Sequence, residues 1–378
     1  TVWGSMQCPY YVQQALLGLF NLSPEKVRVI QMETGGGFGG KEEYPSMIAG
    51  HAALLAWKSG KPVKLVYDRR EDMAATTKRH PSRTKHRTAV DKGGKLLAME
   101  IDFILDGGAY TTISPVVLSR GAIHATGPYE CPNVRVRGKV VATNTPPNGA
   151  FRGFGAPQSL FAIERHMNNA ANAIGFSPEE FRRRNFLKPG ATTATNQIIR
   201  ENIDLGRLLN RALKTAQYEK KKRLFSRENP KNSRIKRGIG FSSFFHGAGF
   251  TGSGEKRLAS VVAVDADKTG RVSVLTANTE MGQGANTVLA GIAAGTLGID
   301  YDDVKVAQPD TATVPNSGPT VASRTSMIVG KLVETASGVL KKTLVEGGYL
   351  PGKYDAGAFR LACNRYIMEK GPLKCFSQ

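Results

Sequence analysis

An α+β fold, with mixed sheets and helices packed on them in two domains, is what this sequence predicts, and three observations predict it. The chain has 378 residues, for which two domains are the natural division. β-Branched runs at residues 27–30, 63–66 and 272–275 mix with segments of helical spacing, without the regular alternation that a parallel sheet would require. A basic stretch, Lys220-Lys221-Lys222-Arg223 through Arg237, separates an amphipathic helix pattern from a hairpin pattern and marks the domain boundary. The division predicted is 1–218, a basic linker at 219–237, and a second domain from 238 to 378.

In chain order, the strand at 27–30 leads to Gly35-Gly36-Gly37-Phe38-Gly39-Gly40-Lys41-Glu42, five glycines around one phenylalanine within a loop almost free of side chains. Glycine allows close approach of a ligand to bare backbone, so the loop reads as a binding surface. Gly35-x-Gly37-x-x-Gly40 also satisfies the dinucleotide fingerprint, with a helix expected at 44–57 and a strand at 63–68 ending in Asp68. That acid comes 28 residues after Gly40, later than the usual ~20. Glu42 and Glu43 would also sit badly beside a pyrophosphate.

The turn Asp91-Lys92-Gly93-Gly94 opens a half-buried strand at 96–105, whose apolar residues partly alternate. Ser177-Pro178-Glu179-Glu180 starts a helix, with serine as cap and acids facing the dipole. Asp204 caps an amphipathic helix over 204–214. Residues 261–264 and 272–275 pair as a hairpin across Asp267-Lys268-Thr269-Gly270, and a further helix runs from about 286 to 297.

Composition narrows the function classes. Hydrophobic residues make up 40% of the chain and aromatics 8%, enough for real cores, and no apolar run of eighteen suggests a membrane span. Cys8, Cys131, Cys363 and Cys375 show neither C-x-x-C pairing nor zinc spacing, which reads as reduced thiols of a cytoplasmic protein. The net charge of +21 gathers at residues 78–87 and 220–237. Without interleaved aromatics, these stretches read as solvated or subunit-facing surface and not as a nucleic-acid site.

Two more glycine-flanked segments change the reading of the first. Ala150-Phe151-Arg152-Gly153-Phe154-Gly155-Ala156-Pro157-Gln158 and Glu280-Met281-Gly282-Gln283-Gly284 suggest one large ligand gripped from several sides. Together with Ser317-Gly318-Pro319-Thr320-Val321-Ala322-Ser323, their order resembles the molybdenum-cofactor-binding subunit of the xanthine dehydrogenase and aldehyde oxidase family, over residues 1 to about 340. The resemblance implies two molybdopterin-binding domains, the second incomplete. It also implies a molybdenum molybdopterin cofactor, with the cytosine dinucleotide form left open.

By that resemblance Gln7 faces the metal's apical ligand. Gly37, Phe38, Gly39, Arg152, Ala322 and Ser323 bring backbone to the metal centre, and Gly282, Gln283 and Gly284 hold the pterin dithiolene or its phosphate. The helix after Gly284 would point its amino-terminal amides at that phosphate. Glu42, Arg120, Phe154 and Ser242 match the substrate pocket of purine-oxidising members, where carboxylate and guanidinium orient a heterocycle and a phenyl face stacks on it. His124 and His246 are candidates for the neighbourhood of that pocket, each also readable as an ordinary structural residue.

The implied reaction is hydroxylation of a purine-like or other N-heteroaromatic substrate at an electron-poor carbon, with electrons leaving through [2Fe-2S] clusters to FAD on partner subunits. An aldehyde-oxidising member is the alternative within the family. The family's general-base glutamate has no counterpart here, since Glu334, Glu346 and Glu369 lack its sequence context. With Thr1-Val2-Trp3-Gly4-Ser5 entering directly into a motif, the expectation is part of a longer or split subunit, completed by a carboxy-terminal partner. An NAD-binding dehydrogenase module and a non-catalytic scaffold are the readings from other classes.

Overall fold

The computed structural model describes residues 1–232, 234–250, 254–258 and 260–378, which gather into two compact units interleaved along the chain. Thr1–Arg79, Gly149–Arg152 and Gly247–Gln378 form the first, and His80–Asn148 and Gly153–His246 the second. Residues 1–79 thus fold with 247–378, a grouping different from a cut at 219–237. Backbone bonds across that sequence distance hold it, among them Gln31 N–H to the Pro309 carbonyl at 2.9 Å and Thr311 N–H to the Val29 carbonyl at 3.0 Å.

In the first unit, Val2–Gly4 and Val29–Gln31 pair in parallel. A four-stranded sheet runs Val304–Val306, Val272–Leu275, Val262–Ala266, Leu373–Ser377. The hairpin expected at 261–275 is its centre, antiparallel with Ala263 opposite Leu275. The helix Gly330–Glu346 buries Val333, Ala336, Leu340 and Leu344, one apolar stripe at helical spacing. With Leu289, Ala293 and Leu297 of the helix Ala285–Leu297, these residues join the valines of the sheet in one core. Each large side chain buried there contributes roughly 1.5–3 kcal/mol.

The second unit is built on the strand Leu96–Gly108, flanked by antiparallel Ser82–Val90 and parallel Asn133–Ala142. Its alternation sends Met99, Ile101, Phe103 and Leu105 inward. The first two pack with Ile163 and Met167 of the helix Ala156–Ala173, the last two with Val117 of the helix Ser114–Ile123. The opposite face carries Glu100 and Asp102, which pair with Arg87, Arg135 and Arg137.

Several caps fall where the sequence put them. Ser177 accepts from Glu180 N–H ahead of the helix Pro178–Asn185, and Asp204 from Arg207 N–H ahead of Leu205–Thr215. Two expectations need correction, and one further segment gains a strand that the sequence reading did not assign. Residues 63–68 pair with no strand among the described residues; Asp68 instead caps the helix Arg69–Ala75 in a reciprocal box with Glu71. The second parallel strand and ribose-binding acid of a dinucleotide fold are thereby missing. The basic run at 78–87 is mostly strand, its cations on the outward positions of Ser82–Val90. The basic linker begins as a helix, Tyr218–Glu228, because Lys, Arg and Glu are good helix formers. No helix among the described residues is long and apolar enough to cross a membrane.

Candidate functional site

Gln7 joins two of the glycine-bearing segments of the first unit. It is 3% exposed. Its Oε1 accepts from Gly39 N–H at 2.9 Å and Lys41 N–H at 3.3 Å, while Nε2 donates to the Thr320 carbonyl at 2.9 Å. One amide therefore ties the first glycine loop to the segment around Ala322. Thr320 carries the tie onward, its Oγ1 accepting from Thr279 N–H at 2.8 Å, just before Glu280-Met281-Gly282-Gln283-Gly284.

Close approach explains two of the glycines. A Cβ on Gly37 would lie 2.6 Å from both Gln7 Oε1 and Met281 Sδ. At Gly39, with φ +93°, it would lie 3.0 Å from the Phe151 Cα. The loop is thus wedged against the second and third segments at once. Arg152 completes the group, its guanidinium 5.9 Å from the Phe38 ring centroid and its carbonyl bonded by Arg79 at 2.6 Å.

Backbone strain concentrates in the same segments. Of the seven non-glycine residues with positive φ among those described, Phe38 (52°), Phe154 (53°), Ala322 (53°) and Ser323 (55°) belong to the sequence motifs. Such conformations cost on the order of 1–3 kcal/mol each and persist where the surroundings enforce them. Arg324, fully buried, enforces the last pair: it donates to the Ser317 carbonyl at 3.0 Å and pairs with Glu255 at 2.9 Å. Phe38 is 64% exposed despite its size, and nothing lies within 4 Å of a Cβ built on Gly282 or Gly284. Exposed main chain under strain, beside an uncovered aromatic ring, fits a large group approached by amides and not by ligating side chains.

The helix Ala285–Leu297 corrects one expectation. One of its first-turn amides and three in the loop before it go to the chain's own Glu280: Oε1 accepts from Met281, Gly282 and Gly284 at 2.7–3.1 Å and Oε2 from Asn286 at 3.0 Å. Partial burial raises its pKa, these amides lower it, and the net shift is downward, so the nest holds a carboxylate where a phosphate was expected. Gln283 also folds back, accepting from Met281 N–H at 2.7 Å and donating to the Thr279 carbonyl at 2.8 Å. Sequence reasoning missed Glu280, although an acid directly before a glycine loop and a helix start is a visible signal.

Glu42 is 4% exposed; burial first, then Glu43, pushes its pKa up to about 8, so it is protonated at neutral pH. Glu43, also raised by burial, accepts from Ala150 N–H at 3.0 Å and pins the second segment to the first loop. Burial, with Glu42 adding, raises the Cys8 thiol well above its ordinary range, which marks it as a core filler and not a nucleophile.

In the second unit, Arg120 is 4% exposed on the helix Ser114–Ile123. A Cβ on Gly155 would sit 2.1 Å from the Val117 carbonyl and 3.0 Å from Gly121 N, so the turn carrying Phe154 lies directly on that helix. Arg120 Nη2 contacts His246 Nε2 at 3.3 Å, and the His124 ring lies 5.7 Å from that of His246. Ser242 is placed differently, in a groove of about 490 Å³ with Leu160, Glu164, Asn168 and Phe244. The adjacent Ser243 N–H donates to Glu164, which pairs with fully buried Arg182 at 3.0 Å.

A strained, main-chain-lined cradle of this kind suits a protein that holds a large ligand with several loops. Comparison with known proteins names the family. Two models described as molybdopterin cofactor-binding domain match residues 1–186 and 211–349, together most of the chain. The chain is 34% identical over 350 residues to a probable xanthine dehydrogenase subunit of Bacillus subtilis (strain 168), covering 92% of this chain and 46% of that protein. With the nicotinate dehydrogenase large molybdopterin subunit of Eubacterium barkeri it shares 41% over 216 residues, 57% of this chain and 50% of the relative. The aldehyde oxidoreductase of Desulfovibrio gigas superposes on 99% of this chain and 40% of its own, with a TM-score of 0.83 and 29% identity. The chain belongs to the molybdopterin-binding subunit family of the molybdenum hydroxylases, and it spans about half the length of these two curated relatives.

Proposed function

We propose that this chain supplies the cofactor-holding and substrate-orienting part of a molybdenum hydroxylase that oxidises a purine-like or other N-heteroaromatic compound at an electron-poor carbon. The observation that carries this reading is that Gln7 bonds the first and fourth glycine-bearing segments while Gly37 and Gly39 of the first lie against Met281 and Phe151 of the other two, with Phe38, Ala322 and Ser323 held at positive φ. When bound, molybdenum molybdopterin supplies the two-electron redox chemistry. We assign to it Gln7, Gly37, Phe38, Gly39, Arg152, Gly282, Gln283, Gly284, Ala322 and Ser323. Their part is to present oriented main-chain dipoles, while Gln7 and Gln283 hold the loops in shape.

Glu42, Arg120, Phe154 and Ser242 are assigned to the substrate. A neutral Glu42 donates a hydrogen bond to a ring nitrogen or carbonyl oxygen, Arg120 donates a planar pair, and Phe154 offers a ring face. In family terms, 1–218 and 238–378 are parts of two cofactor domains joined by 219–237. A cytosine dinucleotide form of the pterin, iron-sulfur and FAD subunits, a partner segment bearing the general-base glutamate, and a cytoplasmic location complete the proposal.

The names of the relatives, xanthine and nicotinate dehydrogenase, support a heteroaromatic substrate, whereas the likeness to an aldehyde oxidoreductase supports an aldehyde as the second reading. Turnover by the native assembly in ¹⁸O-labelled water separates them. Heteroaromatics should take up the label with kcat/KM at least about tenfold above benzaldehyde, given the discrimination available to a site built of hydrogen-bonding groups. Formation of labelled benzoate alone would favour the second reading, and oxidised product from neither would remove both.

A further inference from the structure

We infer that the helix Pro45–Ser59 and the segment 62–67 behind it form a docking surface for a β-strand of the partner segment that completes the subunit. The inference rests on the proposed need for such a segment and deepens it by naming where the segment binds and in what form.

The helix is apolar on more than one side. Ala49 is buried in one cluster with Val12 and Leu16 of the helix Pro9–Phe20, and a Cβ on Gly50 would lie 3.2 Å from Leu19. Met47, Leu54 and Leu55 occupy other positions around the helix and are all exposed, Leu55 by 51%. A helix with apolar residues all round belongs in an interior. Gly60, at φ +65°, ends it. Seven residues later the Tyr67 ring lies 6.2 Å from that of Tyr44, the residue ahead of the first turn, so the chain returns along the length of the helix. The 15-residue helix is about 22 Å long at 1.5 Å per residue, the reach of seven residues at about 3.3 Å each. The composition of this return, Val63-Lys64-Leu65-Val66-Tyr67, is that of a strand. Among the described residues, however, no backbone-to-backbone hydrogen bond joins 62–67 to another segment, and Val66 is 70% exposed.

Two requirements meet on this surface, and one occupant satisfies both. Contiguous exposed apolar residues mark a surface that is covered by something else, and a stretch of strand composition with open edges is a template for another strand. A lipid surface would cover Leu55 but leave the backbone of 63–67 unpaired, because hydrocarbon offers no hydrogen bond. A second copy would bring Lys61 and Lys64 against their own images, with a net charge of +21 on each chain. An added strand of alternating apolar and polar residues pairs with 63–67 and buries its apolar side chains with those of the helix. The curated relatives are about twice as long as the part matched here, so members of this family carry further chain from which such a strand can come.

The test is amide hydrogen exchange and photocrosslinking on the native assembly. Amides at 63–67 should exchange at least about a hundredfold more slowly than in an unstructured peptide of the same sequence, as paired strands do. p-Benzoylphenylalanine in place of Val66 should crosslink to the completing segment. Leu54→Asp and, separately, Val66→Asp, both at positions exposed in this chain, should each speed exchange at 63–67 by at least about tenfold, with the far-UV circular dichroism unchanged. Having one variant on the helix and one on the return keeps the test decisive if either fails to fold. Exchange as fast as in the free peptide would overturn the inference. So would adducts only to lipid, to a second copy or within residues 1–378, no adduct at all, or exchange unchanged in both variants. Because these readouts need neither cofactor nor turnover, the two readings fail separately. Oxidised product from an assembly with fast exchange at 63–67 sinks only the docking surface. Slow exchange with an adduct to the completing segment, but no oxidised product, sinks only the hydroxylase reading.

Discussion

The two units build their candidate sites by opposite means. Around Gln7 the first unit works with main chain: amides and carbonyls, glycines with no room for a Cβ, and residues held at positive φ. Around Arg120 the second unit works with side chains, a guanidinium on a helix, one imidazole at its end and another from a remote segment. Main chain can grip a large ligand without reading its substituents, whereas side chains discriminate among small molecules by charge and donor pattern. On the proposed assignment, the difference ties cofactor binding to backbone geometry and substrate choice to a few replaceable groups.

The comparison breaks most severely at Gln7. Gln7→Leu removes the acceptor of two amides and the donor to Thr320, leaving buried polar groups unsatisfied at a cost of about 3 kcal/mol or more. Urea unfolding should report that loss, together with loss of bound molybdenum. In the second unit, Arg120→Met should leave the cofactor in place and weaken a heteroaromatic substrate by roughly tenfold to a hundredfold, the equivalent of about 1.4–2.8 kcal/mol, measured as KM against metal content.

Glu280→Gln is a smaller change within the first unit. It weakens the nest at Met281, Gly282, Gly284 and Asn286, with an expected loss of roughly 1–2 kcal/mol. Faster amide exchange at Asn286 is the readout. Glu42→Gln should have the least effect at low pH, and its size grows with pH. The folded-state pKa of Glu42 is raised to about 8, so its ionisation opposes folding increasingly as pH climbs from the ordinary carboxylate range toward 8. The variant should match wild type near pH 4 and melt a few degrees higher, on the order of 2–4 °C, near pH 8.5. A melting difference independent of pH would show that Glu42 is not neutral in the fold.

The same contrast explains what could be read in advance. A main-chain site writes itself into sequence as glycines beside Phe38, Arg152, Gln283 and Ala322, and these segments were visible. Alternation over 96–105 and the capping residues Ser177 and Asp204 were equally legible, because local periodicity and local hydrogen bonds determine them. Residues 63–68 have the β-branched composition of a strand but pair with no strand among the described residues, and pairing is not a local property. Glu280 in the helix nest and Glu43 on Ala150 depend on where a flexible carboxylate turns. The contact of Arg120 with His246 spans 126 residues, and nothing in either segment announces the other.

Molybdenum and pterin per chain, measured in the native assembly for Gly37→Ala beside Gly35→Ala, tests the central claim most directly. A methyl at position 37 meets Gln7 and Met281 at 2.6 Å, while one at position 35 meets nothing within 4 Å. The expected result is near-stoichiometric metal and pterin in wild type and Gly35→Ala, with loss of both from a still folded Gly37→Ala. Equal cofactor content in all three, or none in the wild-type assembly, would contradict it.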